Sequence, residues 1–485
     1  MDNMQPGTGA TPLQEHAPAV KVQSAAVDGG FPIAEVKRLL RLAGPIIFSC
    51  LLMNLVNVVS IMVVGHLGEL PLAGVSLASS FAQVTGYIVL TGMAMALDTL
   101  CGQAFGAGQH GLLGAYKQRA MVVLALACVP IVALWANAPR ILVLLGQDHA
   151  IAAVAGEYAR WLIPSLAAYV PLLCHVRFLQ TQSLVLPVLA SSGAAVLCHV
   201  PVCWAMVYKT GMGTKGAALS NAISYCVNVA LLTVYVRLSN SCKSTWTGFS
   251  AREAFKGLRQ FAMLAMPSAM MICLEWWAFE VLVILSGLLP NPQLETSVMS
   301  ICLNTAAMLY MIPLGLCYSI STIVSNELGA GKPQQAKLAV RVVMYTAISE
   351  GLVIALTLFL LRHVWGYMYS DKLEVVSYTA RITPVLSIAF FMGGLHSSLT
   401  GVLTGCGKQK IGAGLNLGAF YLLGIPVAVL LAFVFHLNGM GLWLGIVCGS
   451  FVKLVVLLCI AWCIDWESEA FKAKDMVCIS SLAEA

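Results

Sequence analysis

Twelve stretches of this chain each run for about 20 residues or more on mostly apolar side chains, and this leaves lipid as the solvent in which it folds. They lie at 40–64, 72–98, 118–145, 151–172, 186–208, 216–238, 260–289, 296–323, 337–361, 376–403, 412–436 and 441–463. In hydrocarbon every backbone polar group must be satisfied inside the segment, so long apolar runs of this kind are helices. The fold class expected is an all-α polytopic membrane protein. Charge supports the same reading: 10% of residues are charged, against about 25% in a soluble domain, and the mean hydropathy is +0.86. Short loops carrying Gly, Pro, Asn and charges separate the runs. Residues 1–34, rich in Gly, Ala, Pro and Gln, read as a disordered tail. With no signal-peptide core in that tail, the first span is expected to act as the uncleaved insertion signal.

The basic residues give an orientation. Nineteen Lys and Arg fall on the side that holds the N-terminus, seven on the other side, and Lys453 within a span. By the positive-inside rule both termini are expected in the cytoplasm. The net charge of +6 is spread over loops and forms no stripe, which gives nucleic-acid binding no support. The 16 cysteines include no CxxC pair and no Cys/His group at zinc spacing. No metal, cofactor or disulfide framework is expected.

The chain also repeats itself. GMAMALDTLCGQAFGAGQ from Gly92 is echoed by GLCYSISTIVSNELGAGK from Gly315, an offset of 223 residues that pairs Gly106 with Gly329. Within two residues the same offset pairs Pro45 with Pro267, Gly65 with Gly287, Pro201 with Pro426 and Gly216 with Gly441. Each copy holds six spans, so both enter the membrane in the same sense and are related by an axis along its normal. The expected units are an N-terminal lobe (35–238), a basic cytoplasmic linker (239–259), a C-terminal lobe (260–465) and a cytoplasmic tail (466–485). Two such lobes with substrate between them suit alternating access by rocking.

Ionisable groups deep in the spans are few, and each costs about 2.5–3.5 kcal/mol at the centre of a helix. Glu275 lies near the middle of the seventh span and Glu280 five residues on. Desolvation disfavours the charged form of a carboxyl there, so Glu275 suits proton exchange. Glu350 and Lys453 are read as a structural polar pair within the C-terminal lobe. Asp98 is read as structural too, fixing a Gly-rich turn at the end of the second span. His199 and His396 read as packing residues. Asn54, Asn57 and Gln83 offer amides that bind substrate or bridge helices. Trp276, Trp277, Phe279, Tyr310 and Phe391 offer a π-rich cavity lining or plain helix contacts.

Five motifs give a family resemblance: GMAMALDTLCGQAFGAGQ from Gly92, CLEWWAFE from Cys273, LSGLLPNPQLETSVMSICLNT from Leu285, SNELGAGKP from Ser325 and GCGKQKIGAGLNLGAFYLLGIPVA from Gly405. With these the chain resembles the eukaryotic multidrug and toxic compound extrusion (MATE) transporters, most of all the plant detoxification group, over residues 35 to about 465. The resemblance implies two pseudo-symmetric six-helix bundles around a V-shaped cleft. It also implies export of organic compounds, such as flavonoids, alkaloids and xenobiotic cations, in exchange for protons. The family's proton-coupling acid in CLEWW falls on Glu275. Plant members carry an Asp in the tenth helix, and this chain has Gly393 at that position. His396, three residues on, is expected to take over part of that titratable function. The loop after the second span is too short for the citrate-exporting branch.

No nucleophile elbow, HExxH or Walker pattern appears, so an enzyme or an ATP-driven pump has no support. A channel would need a filter or a repeated polar lining. Sodium coupling stays open beside proton coupling. The expected partners are a small organic substrate, protons and the lipid of the plasma or vacuolar membrane, with the chain acting as a monomer.

Overall fold

The computed structural model describes residues 33–484. Among them are twelve helices long and apolar enough to cross a membrane, and no strand. Spans 1 to 6 are Ile33–Gly65, Glu69–Gly106, His110–Ala136, His149–Thr181, Val185–Lys209 and Thr214–Leu238. Spans 7 to 12 are Leu258–Ser286, Pro292–Gly329, Pro333–Met368, Leu373–Gly405, Gln409–Val434 and Asn438–Cys463. Every expected apolar run is one of these helices. The expected 1–34 tail lies outside the described residues, except that Ile33 and Ala34 already begin span 1. Span 3 stops at Ala136, short of the expected 145, because Asn137 and Pro139 break it and start the short helix Ala138–Leu144.

The glycine motif is where the sequence reading needs correction. The motif does mark the turns after spans 2 and 8, but most of it is helical: the chain stays helical through Gly106 in one copy and Gly329 in the other. It turns only at Gly108 (φ 74°) and Gly331 (φ 69°), in a left-handed conformation that favours glycine. The earlier glycines serve close approach. A side chain on Gly106 would strike the Asn326 carbonyl, and one on Gly329 would strike the Gln103 carbonyl. Gly102 faces Ser325, its own counterpart at the 223-residue offset. Gly92 lies on Ala269 and Gly315 on Ile47, again a matched pair. Helices in lipid associate by such close backbone packing, since no hydrophobic drive separates a leucine from an acyl chain. These reciprocal contacts place a pseudo-two-fold axis between the bundles, as the parallel repeat requires.

Hydrogen bonds across the seam obey the same exchange. Gln103 Nε2 donates to the Gly405 carbonyl (3.2 Å), and Asn326 Nδ2 donates to the Thr181 carbonyl (3.1 Å). Gln409 Nε2 adds a bond to Thr99 Oγ1 (2.7 Å). The first halves of spans 1 and 7 also cross over. Leu39, Leu42, Ala43 and Ile46 belong to a core cluster with spans 8 to 10, while Phe261, Ala265 and Ala269 belong to the N-terminal core. All this joining lies on the side that carries the linker. In the far half of the C-terminal lobe, the core built from residues such as Leu282, Val298, Ile382 and Trp443 contains no residue of the N-terminal bundle. The bundles are thus closed together on the linker side and have separate cores on the far side.

The linker is held to the N-terminal bundle. Gln118 bonds the Gly248 carbonyl (3.1 Å) and the Ser250 amide (2.7 Å), and Arg119 Nε donates to the Glu253 carbonyl (3.3 Å). After span 12 the chain forms a further helix, Trp466–Glu484, whose Ala470 and Ala473 pack into the core of spans 8 to 10.

Candidate functional site

Three buried groups from three helices meet inside the C-terminal bundle. Lys453 of span 12 places Nζ 2.7 Å from Glu275 Oε2 of span 7. His396 of span 10 places Nδ1 3.6 Å from the other oxygen, Oε1. That is too long for a hydrogen bond, and Nδ1 has no other partner. The expected pairing of Lys453 with Glu350 does not form, because the ammonium is taken by Glu275. Lys453 reaches it beside Phe420, whose ring centre is 5.6 Å from Nζ. Phe420 lies in a π-helical stretch, Leu417–Gly424, a widening common at functional sites.

The internal repeat shows what is special here. The 225-residue offset of the last spans maps Lys453 onto Asn228, and the 222-residue offset of span 7 maps Glu275 onto Met53. In the N-terminal bundle Asn228 Nδ2 indeed meets Met53 Sδ at 3.3 Å. One scaffold position thus carries a neutral contact in one lobe and a buried ion pair in the other.

Asp98, expected in a turn, is helical and buried, with Arg177 Nη1 of span 4 at 3.4 Å from its Oδ2. The guanidinium also lies 3.7 Å from the ring centre of Tyr318 in span 8, so this pair touches the opposite lobe. Removing one member leaves an uncompensated buried charge, which costs about 3–5 kcal/mol, whereas removing both is often neutral. Arg177→Met is therefore expected to lower the thermal stability of the detergent-solubilised protein sharply, and Asp98→Asn/Arg177→Met to regain most of it. An unchanged melting curve for the single variant would contradict this account.

The remaining candidates divide. Trp276 packs edge-on against Tyr310, ring centres 5.5 Å apart, on the helix that carries Glu275. Trp277 Nε1 donates across the seam to the Val84 carbonyl (3.1 Å). Phe391 is half-buried and packs against Gly351. Asn54 and Asn57 are half-buried and Gln83 is exposed; none of the three amides bridges helices among the described residues. Glu280 is half-buried and outside the Glu275 cluster. Glu350 Oε2 is buried without a partner. His199 is a satisfied packing residue, held by Ser224 Oγ at 2.8 Å and Ser60 Oγ at 3.1 Å.

Two residues escaped the sequence reading because they were counted as loop charges. Arg177 is buried, and so is Lys117, whose Nζ lies 4.6 Å and 4.1 Å from the ring centres of Phe178 and Trp246. The signal that could have found Arg177 is its place in an apolar stretch one turn after Cys174.

Comparisons with known proteins agree with the geometry. The sequence profile of the MatE family matches twice, at residues 45–205 and 267–430. Protein DETOXIFICATION 16 of Arabidopsis thaliana is 53% identical over 447 residues, covering 92% of each chain. Protein DETOXIFICATION 17 of the same plant is 50% identical over 443 residues, covering 91% of this chain and 93% of its own. The crystal structure of the eukaryotic MATE transporter AtDTX14 superposes with a TM-score of 0.89 at 46% identity, covering 92% of this chain and 99% of that one.

Proposed function

The chain belongs to the MatE family of efflux transporters, and on that premise we propose that it exports organic compounds in exchange for protons, with Glu275 as the coupling acid. The observation that carries this reading is the buried Glu275–Lys453–His396 cluster. Deprotonated, Glu275 neutralises Lys453, and with a neutral His396 the cluster has no net charge. One proton, on Glu275 or on His396, turns the whole cluster to +1. The added charge is the same whichever atom holds the proton. The neutral cluster tolerates a cationic or polarisable guest in the cleft, and the protonated cluster repels it. Proton and substrate then alternate, which is what antiport requires.

Sodium is the poorer coupling ion on this geometry, because the Lys453 ammonium already occupies the cation position on Glu275 at 2.7 Å. Trp276, next to the acid in sequence, and Tyr310, packed edge-on against it, supply aromatic faces, and the half-buried Asn54 and Asn57 of span 1 are read as offering amides to substrate. This lining suits flat aromatic compounds such as alkaloids and flavonoids. The linker side is read as cytoplasmic from its basic residues, in either the plasma or the vacuolar membrane.

The test uses the purified protein in vesicles, with berberine, an aromatic alkaloid cation, and quercetin, a flavonoid, as probes. An imposed proton gradient should drive uptake of at least one probe, and a sodium gradient alone should not. His396→Ala should shift the pH dependence of that uptake. Uptake that follows sodium and ignores the proton gradient would overturn the reading.

A further inference from the structure

Glu350 is a half-buried acid without a counter-charge. It sits on span 9, and Oε2 lies 3.5 Å from where a side chain on Gly394 of span 10 would begin. Pro313 of span 8 borders the same spot at 3.9 Å. Oε2 is buried and accepts no hydrogen bond, and no ion pair to Glu350 exists among the described residues. One residue earlier, the direction of a side chain on Gly393 leads to His396 Nε2 at 4.0 Å. Glu350 and His396 therefore approach the same glycine pair, and the other nitrogen of His396 faces Glu275.

Several charged groups on the neighbouring elements are engaged elsewhere. Glu327 at the end of span 8 holds Arg38 of span 1 at 2.6 Å. Glu469 of the last helix holds Lys408 and Lys472. Arg381 of span 10 is 13 residues from Gly394, about 20 Å along a helix. His396 is the titratable group that approaches the same glycine pair, and Tyr310 lies at the break within span 8. An ionised carboxylate so placed is partly desolvated with no ion pair to offset the cost, whereas a protonated one carries less.

We propose that Glu350 is a second proton-binding site of the transport cycle, reached through the gap that Gly393 and Gly394 leave in span 10. It rests on the proton-exchange reading above. Each cycle then protonates one acid that has a counter-ion, Glu275, and one that has none. Glu350 accepts a proton from the water of the cleft while that face is open, and returns it on the other side; no other bond changes.

Two measurements on the full-length protein test this. In the first, infrared spectra of the purified protein are taken across a pH series. A protonated-carboxyl band should titrate in the native protein and lose one component in Glu350→Gln. In the second, berberine uptake into vesicles is driven by a proton gradient. Glu350→Gln should lower it about tenfold and flatten its pH profile, while berberine exchange without a gradient persists. The double variant Glu350→Gln/Gly393→Asp should restore the pH profile by supplying a carboxyl beside His396. An unchanged carboxyl band in Glu350→Gln overturns the proposal, whatever ion drives the native protein. So does an unaltered pH profile, or an equal loss of driven and undriven exchange together with lower thermal stability. Failure of native uptake to follow the proton gradient, with the carboxyl band present, would instead overturn the exchange reading alone.

Discussion

Glu275→Gln should reduce proton-driven exchange on the order of 100-fold, the upper part of the range for coupling between two ligands on one protein. Glutamine keeps the shape and the oxygen that meets Lys453 but carries no ionisable proton. The variant is expected to insert and to bind the probe, because the lobe seam lies elsewhere. Its Lys453 is left as a buried ammonium with no counter-charge, a destabilising state. The pair Glu275→Gln/Lys453→Gln separates the two effects: stability should recover and proton coupling should not. Vesicle uptake with simultaneous proton flux reads the first quantity, and thermal melting in detergent the second. Normal coupling by Glu275→Gln would remove the acid from the mechanism.

The second large effect concerns the seam. Gly329→Val places a branched side chain on the Gln103 backbone carbonyl, a contact from which neither helix can retreat alone. Overpacking costs about 1–3 kcal/mol, while two transport states differ by only a few kcal/mol. One substitution is thus enough to disfavour the state closed on the linker side without unfolding the bundles. Transport should fall at least about tenfold, by the same arithmetic. A thiol introduced by Ser325→Cys, which faces Gly102 at the centre of the seam, should become reactive from the linker side in a protein freed of its native cysteines. If that thiol stays protected and transport continues, the glycine contact does not govern closure.

Much of the fold was legible in the sequence because lipid imposes one rule on every span: length and apolarity suffice. The helical part of the glycine motif misled for a physical reason. Gly, Ala and Ser carry little side chain, so by composition they look like a turn, while in lipid they form the surface on which helices approach most closely. Asp98 was drawn into the same misreading. Glu275 was legible as an acid with nowhere polar to go. Its partner Lys453 was not, because partners across a bundle depend on how helices are rotated, which composition does not encode. The repeat did hold a clue: mapping Lys453 and Glu275 onto Asn228 and Met53 identifies two positions that meet in both lobes. Glu350 was visible as an anomaly, but its lack of a counter-charge appears only once spans 8, 9 and 10 are in place.

The reciprocal seam has a consequence for descent. Gly102 opposite Ser325, and Gly106 and Gly329 each on the other copy's backbone, make an isologous surface, the kind a two-fold dimer uses. A six-helix ancestor bearing this surface would have paired with itself, each protomer lending the start of its first helix to the other. In such a homodimer any acid placed at the Glu275 position appears twice, and any cation at the Lys453 position appears twice as well. Fusion into one polypeptide lifts that constraint. Only then can one half keep a methionine and an asparagine while the other acquires a carboxylate and an ammonium. A symmetric frame with a one-sided charge is what gene fusion makes available and self-association does not.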